Sequence, residues 1–371
     1  MTAAAFAAAG AADRVRNAVL RQVCALRALR PVLVDRGRRL AAMQAVAVLS
    51  AAFLALRAPL VSLWLGAAVF GVPHLLAGVR AVAVRRRSSR VALVCAVLGL
   101  GVGAAQIAGA GDSALRAFVL LFATALGWEA LTAARRRPWA ALALLAAIVP
   151  GVAAAWTAPR LAVVVLAHLH GLGALLYFGI TARGRRLPVW PLFAGVAVVT
   201  VAAIGGLLDG LMASTLYAPR SASGSIVAEA ITAGLPHPTA VVFHRALFVY
   251  AFGQSLHFAA WLRLLPDVER ISPTPKTFRR ALADFRADFG RFATPLLVLT
   301  VAAILLLLLG GGRARETYFA LSYFHVGLEG AALAGLVFGG STAVLVPGAK
   351  RATRPLPVSA SPVRVDVEAA A

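Results

Sequence analysis

Along most of this chain the apolar residues neither alternate nor sit at helical intervals among polar ones. They run on in blocks of about twenty, the length a helix needs to cross a bilayer core, and short arginine-rich segments separate the blocks. The pattern predicts ten membrane-spanning helices, over 40–56, 59–79, 91–111, 117–134, 139–158, 161–182, 188–208, 239–262, 294–311 and 317–338. The first is the shortest, and the last carries polar residues inside it. The expected architecture is all-α: a polytopic integral membrane helical bundle. A basic cytoplasmic segment (1–39) precedes the transmembrane domain (40–347), and a disordered cytoplasmic tail (348–371) follows it. Residues 13–39 interleave basic and apolar positions. They read equally as a helix lying on the inner surface and as a solvated tail that only sets topology.

Three places break the apolar monotony with helical spacing. Phe278, Leu282, Phe285, Phe289 and Phe292 recur every three or four residues, which predicts an interfacial helix over about 277–292 with Thr277 as its N-cap. In the tenth span Tyr318, Ser322, His325 and Glu329 share one face, and in the eighth Tyr250, Gln254 and His257 do so. Such stripes form either an interhelical hydrogen-bond seam or a buried site. The segment 209–238 is the one long loop expected on the outer side, and its Ser, Gly and Pro content predicts an irregular lid or connector.

Composition and charge sharpen the topology. The chain is 61% hydrophobic and 14% charged, against about 25% charged in a soluble domain. With ten spans, thirty of the 37 basic residues fall on one side, which the positive-inside rule makes cytoplasmic, together with both termini. The net charge of +23 is then a consequence of topology and of attraction to anionic lipid. No nucleic-acid partner is expected, because the arginines are scattered over many short loops. The two cysteines, Cys24 and Cys95, imply neither a disulfide framework nor a thiolate metal site.

Six of the seven histidines lie inside the apolar blocks: His74, His168, His170, His244, His257 and His325. Ionisable groups are costly in a membrane and mark functional sites. All six fall on even-numbered spans, and Glu129 lies on the fourth. At ~1.5 Å rise per residue, His170 and His325 fall within roughly 5 Å of the midplane, His74 about 7 Å and His257 about 10 Å toward the inside. These depths permit one cluster. His168 and His170 point to nearly opposite helix faces, so one site uses only one of them. His244, beside Arg245 near the outer end, suits a structural or gating role. Neutral imidazole ligates iron, copper, zinc and haem, so the candidate metal ligands are His74, His168, His170, His257 and His325. Glu329, Glu129, Tyr250 and Gln254 are the candidates for proton transfer or support.

Three segments carry a family resemblance. Gly71-Val72-Pro73-His74, the run Tyr250 to Phe258 reading YAFGQSLHF, and Phe324-His325 followed by Glu329 resemble, in order, motifs of the Brp/Blh family of membrane-bound β-carotene-cleaving oxygenases. The resemblance implies iron held by histidines on several helices, and oxidation of a carotenoid-like substrate by molecular oxygen. Two departures stand out. No acidic residue follows His74, and the family's paired histidines read Gln254 and His257 here. The expected function is a membrane oxidoreductase with a non-haem iron site and a lipophilic lipid or isoprenoid substrate. Two alternatives remain: a b-type cytochrome, since His244 and His257 are thirteen residues apart, and a metal-free transporter, lipid-binding protein or scaffold. Substrate, electron donor and oligomeric state are not readable.

Overall fold

The structure, a computed structural model, describes residues 3–80, 90–133, 138–213, 240–270, 272, 274–310, 314, 317–318, 323–330 and 333. Among these residues there are helices, turns and short connections, and no strand. The N-terminal part comprises α1 (Ala3–Ala25), α2 (Arg30–Val34), α3 (Arg36–Arg57), α4 (Pro59–Leu65) and α5 (Val72–Val79). It continues through α6 (Arg90–Ile107), α7 (Gly111–Ala133), α8 (Pro138–Thr157), α9 (Pro159–Gly184), α10 (Trp190–Ile204) and α11 (Asp209–Ala213). After the segment 214–239 come α12 (Ala240–Ala259), α13 (Leu265–Glu269), α14 (Phe278–Phe289) and α15 (Ala293–Leu309). A final helix, α16, is described over 323–330.

Each expected apolar stretch falls on helix, the tenth as far as it is described. Among the described residues, three continuous helical stretches are long and apolar enough to cross a membrane: Arg36–Arg57, Pro59–Val79 and Phe278–Leu309. The expected outer lid falls almost wholly on 214–239, and the C-terminal tail on residues beyond 333, so both lie outside the described residues.

Helix α12 runs through the centre. Leu247, Phe248, Ala251, Phe252 and Leu256 are buried, and Phe248 and Phe252 stack with centroids 5.9 Å apart. It packs against α3, through Val48, Ala51 and Ala55, and against α9, through Ala174, Leu175 and Phe178. Where α9 meets α12, Gly171 lies against the backbone of Gly253. Two glycines let the helix backbones approach closely, as small residues do in membrane bundles. Gly253 is one turn before His257, and Gly171 adjoins His170, so the crossing fixes how near those two rings come.

Two helical stretches contain π-turns, and each ends at a proline. Residues Gly66–Gly71 form one just before Pro73, and Ala260–Leu264 form the other just before Pro266. Proline has no N–H and its ring crowds the carbonyl four residues back. A wider turn relieves both problems by adding a residue, which rotates the following face by about 100°. π-turns of this kind cluster at functional sites, and these two sit beside His74 and His257.

The end of α13 is held by arginines. Arg36 Nη2 donates to Val268 O at 2.9 Å and to Arg270 O at 3.0 Å, and also to Asp267 O. Arg185 Nη1 donates to Arg270 O at 3.0 Å, and Arg270 pairs with the buried Asp267. Cations at a helix C-terminus satisfy its last carbonyls and its dipole. This knot ties α3 and α9 to the segment that continues from His257.

Residues 3–25 are helical and dock on α14. Asp13 is buried between them and accepts from the backbone N–H of Phe278 at 2.7 Å and of Arg279 at 3.0 Å. It therefore caps α14 from outside, alongside Thr277, which accepts from Arg280 N–H as expected. Burial pushes the Asp13 carboxyl up, but the Arg279 and Phe278 amides and the nearby Arg16 and Arg279 charges outweigh it, leaving it below its ordinary 3.8. A carboxyl lowered in the folded state stabilises the contact above pH 3.8 and loses that contribution as pH falls through the lowered value. Asp13→Ala is expected to speed amide hydrogen exchange in α1 and the first turn of α14 at neutral pH, with α12 unchanged. Unchanged exchange in α1 would show that the cap does not hold it.

Candidate metal centre

Four helices each bring one imidazole to the same place. His74 lies in the first turn of α5, directly after the Gly66–Gly71 π-turn and Pro73. His170 is in α9, His257 at the end of α12, and His325 in α16. One ring nitrogen from each lies within 4.8 Å of the others. His74 Nε2 and His257 Nε2 are 2.7 Å apart, and the His74 ring stands edge-on to His257 and to His325, with centroids at 4.4 and 4.2 Å. The His170 and His257 rings are 4.3 Å apart.

Glu329 lies among them, one turn beyond His325. Its Oε1 is 2.6 Å from His325 Nε2 and 3.7 Å from His74 Nε2. Its Oε2 is 3.4 Å from His170 Nδ1 and 3.8 Å from His257 Nε2. His74, His257, His325 and Glu329 are each at most 7% exposed. The His325–Glu329 pair is close yet outside hydrogen-bond geometry, so His325 Nε2 and Glu329 Oε1 remain without hydrogen-bond partners among the described residues.

Buried polar atoms without partners are costly. Four nitrogens and two oxygens converging on one small volume share one property: all can donate lone pairs to a cation. Hydrogen bonding among themselves can satisfy only some of them. The span of 4.8 Å suits one ion, since metal–nitrogen bonds of about 2 Å put opposite ligands about 4 Å apart. A porphyrin does not fit either. A haem between His257 and His325, whose centroids are 6.2 Å apart, would have to pass through the space that His74 and Glu329 fill.

Glycines make the approach possible. A Cβ on Gly78 would lie 2.6 Å from His325 Cε1, and a Cβ on Gly71 would collide with the Tyr318 ring. Gly71 and Gly78 are seven residues apart, as are Tyr318 and His325. One small-residue face of the Pro59–Val79 stretch therefore receives the large polar side chains of Tyr318 and His325. Aromatic side chains close the site on the other side. Trp261, in the second π-turn, lies 6.0 Å from His74 and stacks on Tyr177 at 5.4 Å.

Of the expected ligands, the cluster contains His74, His170, His257 and His325 and not His168. His168 points from a different face of α9, with Nε2 3.5 Å from Ala246 O and its ring 5.3 Å from Tyr250. Glu329 is central, as its alignment with His325 implies. Tyr250 lies beside His168, outside the ring of ligands, and Gln254 is half-buried three residues before His257. Glu129 is in α7, but its side chain lies outside the described residues. The His244 ring lies 5.8 Å from that of Phe243, while its neighbour Arg245 pairs with Asp209 at 2.6 Å near the start of α12. Sequence reading missed Gly78, Trp261 and the Asp209–Arg245 pair. The matched seven-residue spacings of Gly71/Gly78 and Tyr318/His325 were the available signal for the first.

No family model, no curated protein and no solved structure matches this chain.

Single His→Ala changes at positions 74, 170, 257 and 325 are expected to abolish stoichiometric metal binding in purified protein, and His168→Ala to preserve it. Gly78→Ala is expected to displace the His325 ring and weaken metal affinity by roughly 10- to 100-fold, the range seen when groups that orient ligands are lost. Elemental analysis of the dialysed variants checks both. Equal metal loss in His168→Ala and in the four cluster variants would contradict the assignment.

Proposed function

We propose that the protein is a multi-pass inner-membrane oxidoreductase that holds one non-haem iron ion and oxidises or cleaves a lipid or isoprenoid-like substrate. In this reading the chain crosses the membrane ten times with both termini cytoplasmic, and the histidine cluster lies in the inner half of the bilayer. The ligands are His74, His170, His257 and His325, with Glu329 as a fifth ligand or as the base beside the ion.

One observation carries the reading: four imidazoles from four separate helices, three of them buried, converge within 4.8 Å around one carboxylate. Helical bundles build metal sites from facing helices in this way. Imidazole suits iron, copper and zinc. Resemblance to the Brp/Blh oxygenases favours iron, and three of the four clustered histidines, His74, His257 and His325, are those the resemblance carries. Iron would supply oxygen chemistry. The chain supplies a dry site that limits side reactions, a carboxylate that can take or return a proton at Glu329 Oε1, and walls of Trp261, Phe258 and Tyr177 against which an apolar substrate can lie.

Full-length protein, purified in detergent and loaded anaerobically with Fe(II), is expected to retain about one iron per chain. It is expected to consume oxygen when a polyisoprenoid is added, and His325→Ala to do neither. Folded wild-type protein that takes up no iron would refute the reading and move the histidines to proton relay.

A further inference from the structure

The pair α1 and α14 has a surface that nothing in the metal centre explains. The two helices pack against each other, with Gly10 in contact with the Arg279 side chain and Asp13 capping α14. Every carboxylate of the pair is engaged. Asp13 holds the Phe278 and Arg279 amides and faces Arg16, Asp284 pairs with Lys276 at 2.5 Å and with Arg280 at 3.2 Å, and Asp288 pairs with Arg80 at 2.6 Å. The exposed charge is of one sign, on Arg14, Arg21, Arg279, Arg280, Arg286 and Arg291, of which Arg280 also contacts Asp284.

Among these cations the pair exposes large apolar groups: Val15 at 65%, Val19 at 50%, Phe278 at 51% and Phe292 at 57%. Basic residues interleaved with exposed aromatic and aliphatic ones mark helices that lie in a headgroup layer. Position agrees with that use. Helix α14 runs through the short turn Gly290–Phe292 directly into α15, part of a stretch long and apolar enough to span a membrane. A helix joined so closely to the mouth of a span has the bilayer surface within reach.

We propose that α1 and α14 form a two-helix platform that binds the anionic headgroups of the bilayer leaflet beside it. The partner is a lipid surface, because the exposed cations are accompanied by side chains that gain by entering an apolar layer, which a soluble polyanion does not offer. The platform is tied to the metal centre's scaffold. Arg80, which follows α5, pairs with Asp288 and lies over the Phe285 ring at 5.8 Å. The proposal rests on the chain spanning the membrane and is independent of which metal, if any, the histidines hold.

The test is amide hydrogen exchange of the full chain in nanodiscs of phosphatidylcholine alone and of phosphatidylcholine mixed with phosphatidylglycerol. Exchange in 3–25 and 278–289 is expected to be roughly tenfold slower in the anionic discs, since two arginine–headgroup contacts suffice for a factor of that size. The slowing is expected to fade as salt is raised. In the triple variant Arg279→Gln, Arg280→Gln, Arg286→Gln it is expected to disappear, with exchange in neutral discs like that of the wild type. A control variant, Arg183→Gln with Arg263→Gln, changes exposed arginines away from the platform and is expected to keep it. Equal wild-type exchange in the two discs, a slowing indifferent to salt, or equal loss in the control would each overturn the proposal. If the triple variant unfolds α14, the salt dependence of the wild type decides.

Discussion

Crowding of five ionisable side chains into one buried volume is the constraint on which the rest of this structure depends. Imidazole and carboxylate groups are expensive to remove from water, and more so when their neighbours are Ala, Leu and Phe. The bundle nevertheless brings His74, His170, His257, His325 and Glu329 together and, among the described residues, leaves several of their polar atoms without hydrogen-bond partners. Much of the surrounding architecture can be understood as the means of placing them. Gly171 meets Gly253 so that α9 and α12 can cross closely beside His170 and His257. Gly78 makes room for the His325 ring. Two π-turns forced by Pro73 and Pro266 set the faces that carry His74 and Trp261. A cation shared by all five groups would convert this costly arrangement into a stabilising one, and metal binding would then contribute to folding.

The helices and the residues of the histidine cluster were legible for simple reasons. Long apolar runs admit few other structures in a bilayer, since every backbone group must be satisfied internally. The spacing of His325 and Glu329 puts them on one face under any α-helical geometry. What was not legible is which faces meet. His168 and His170 have the same composition around them, and only the Gly171–Gly253 crossing turns one toward α16 and the other toward Ala246. The π-turns add a residue to the helical count, so facial alignments drawn from uninterrupted 3.6-residue periodicity across Pro73 or Pro266 drift by about 100°. The arginine knot around Asp267 and Arg270 was hidden for another reason: Arg36 and Arg185 reach it from two distant segments, and in sequence they look like topology signals.

Asp13 shows the same limit at the surface. A basic, apolar-interleaved N-terminal segment reads equally as a solvated tail or as a surface helix. The difference is one carboxylate that reaches the amides of Phe278 and Arg279 across more than 260 residues of chain. Local pattern cannot reveal a contact of that range. It does reveal the amphipathic character of α14, whose aromatic stripe was visible from spacing alone.

The most direct test of the central claim is X-ray absorption at the iron edge on the anaerobically loaded, full-length protein. One iron surrounded by several imidazoles, with the outer-shell scattering that their rings produce and no metal–metal vector, is the predicted result. A spectrum without imidazole scattering, or one showing a second metal nearby, would contradict it.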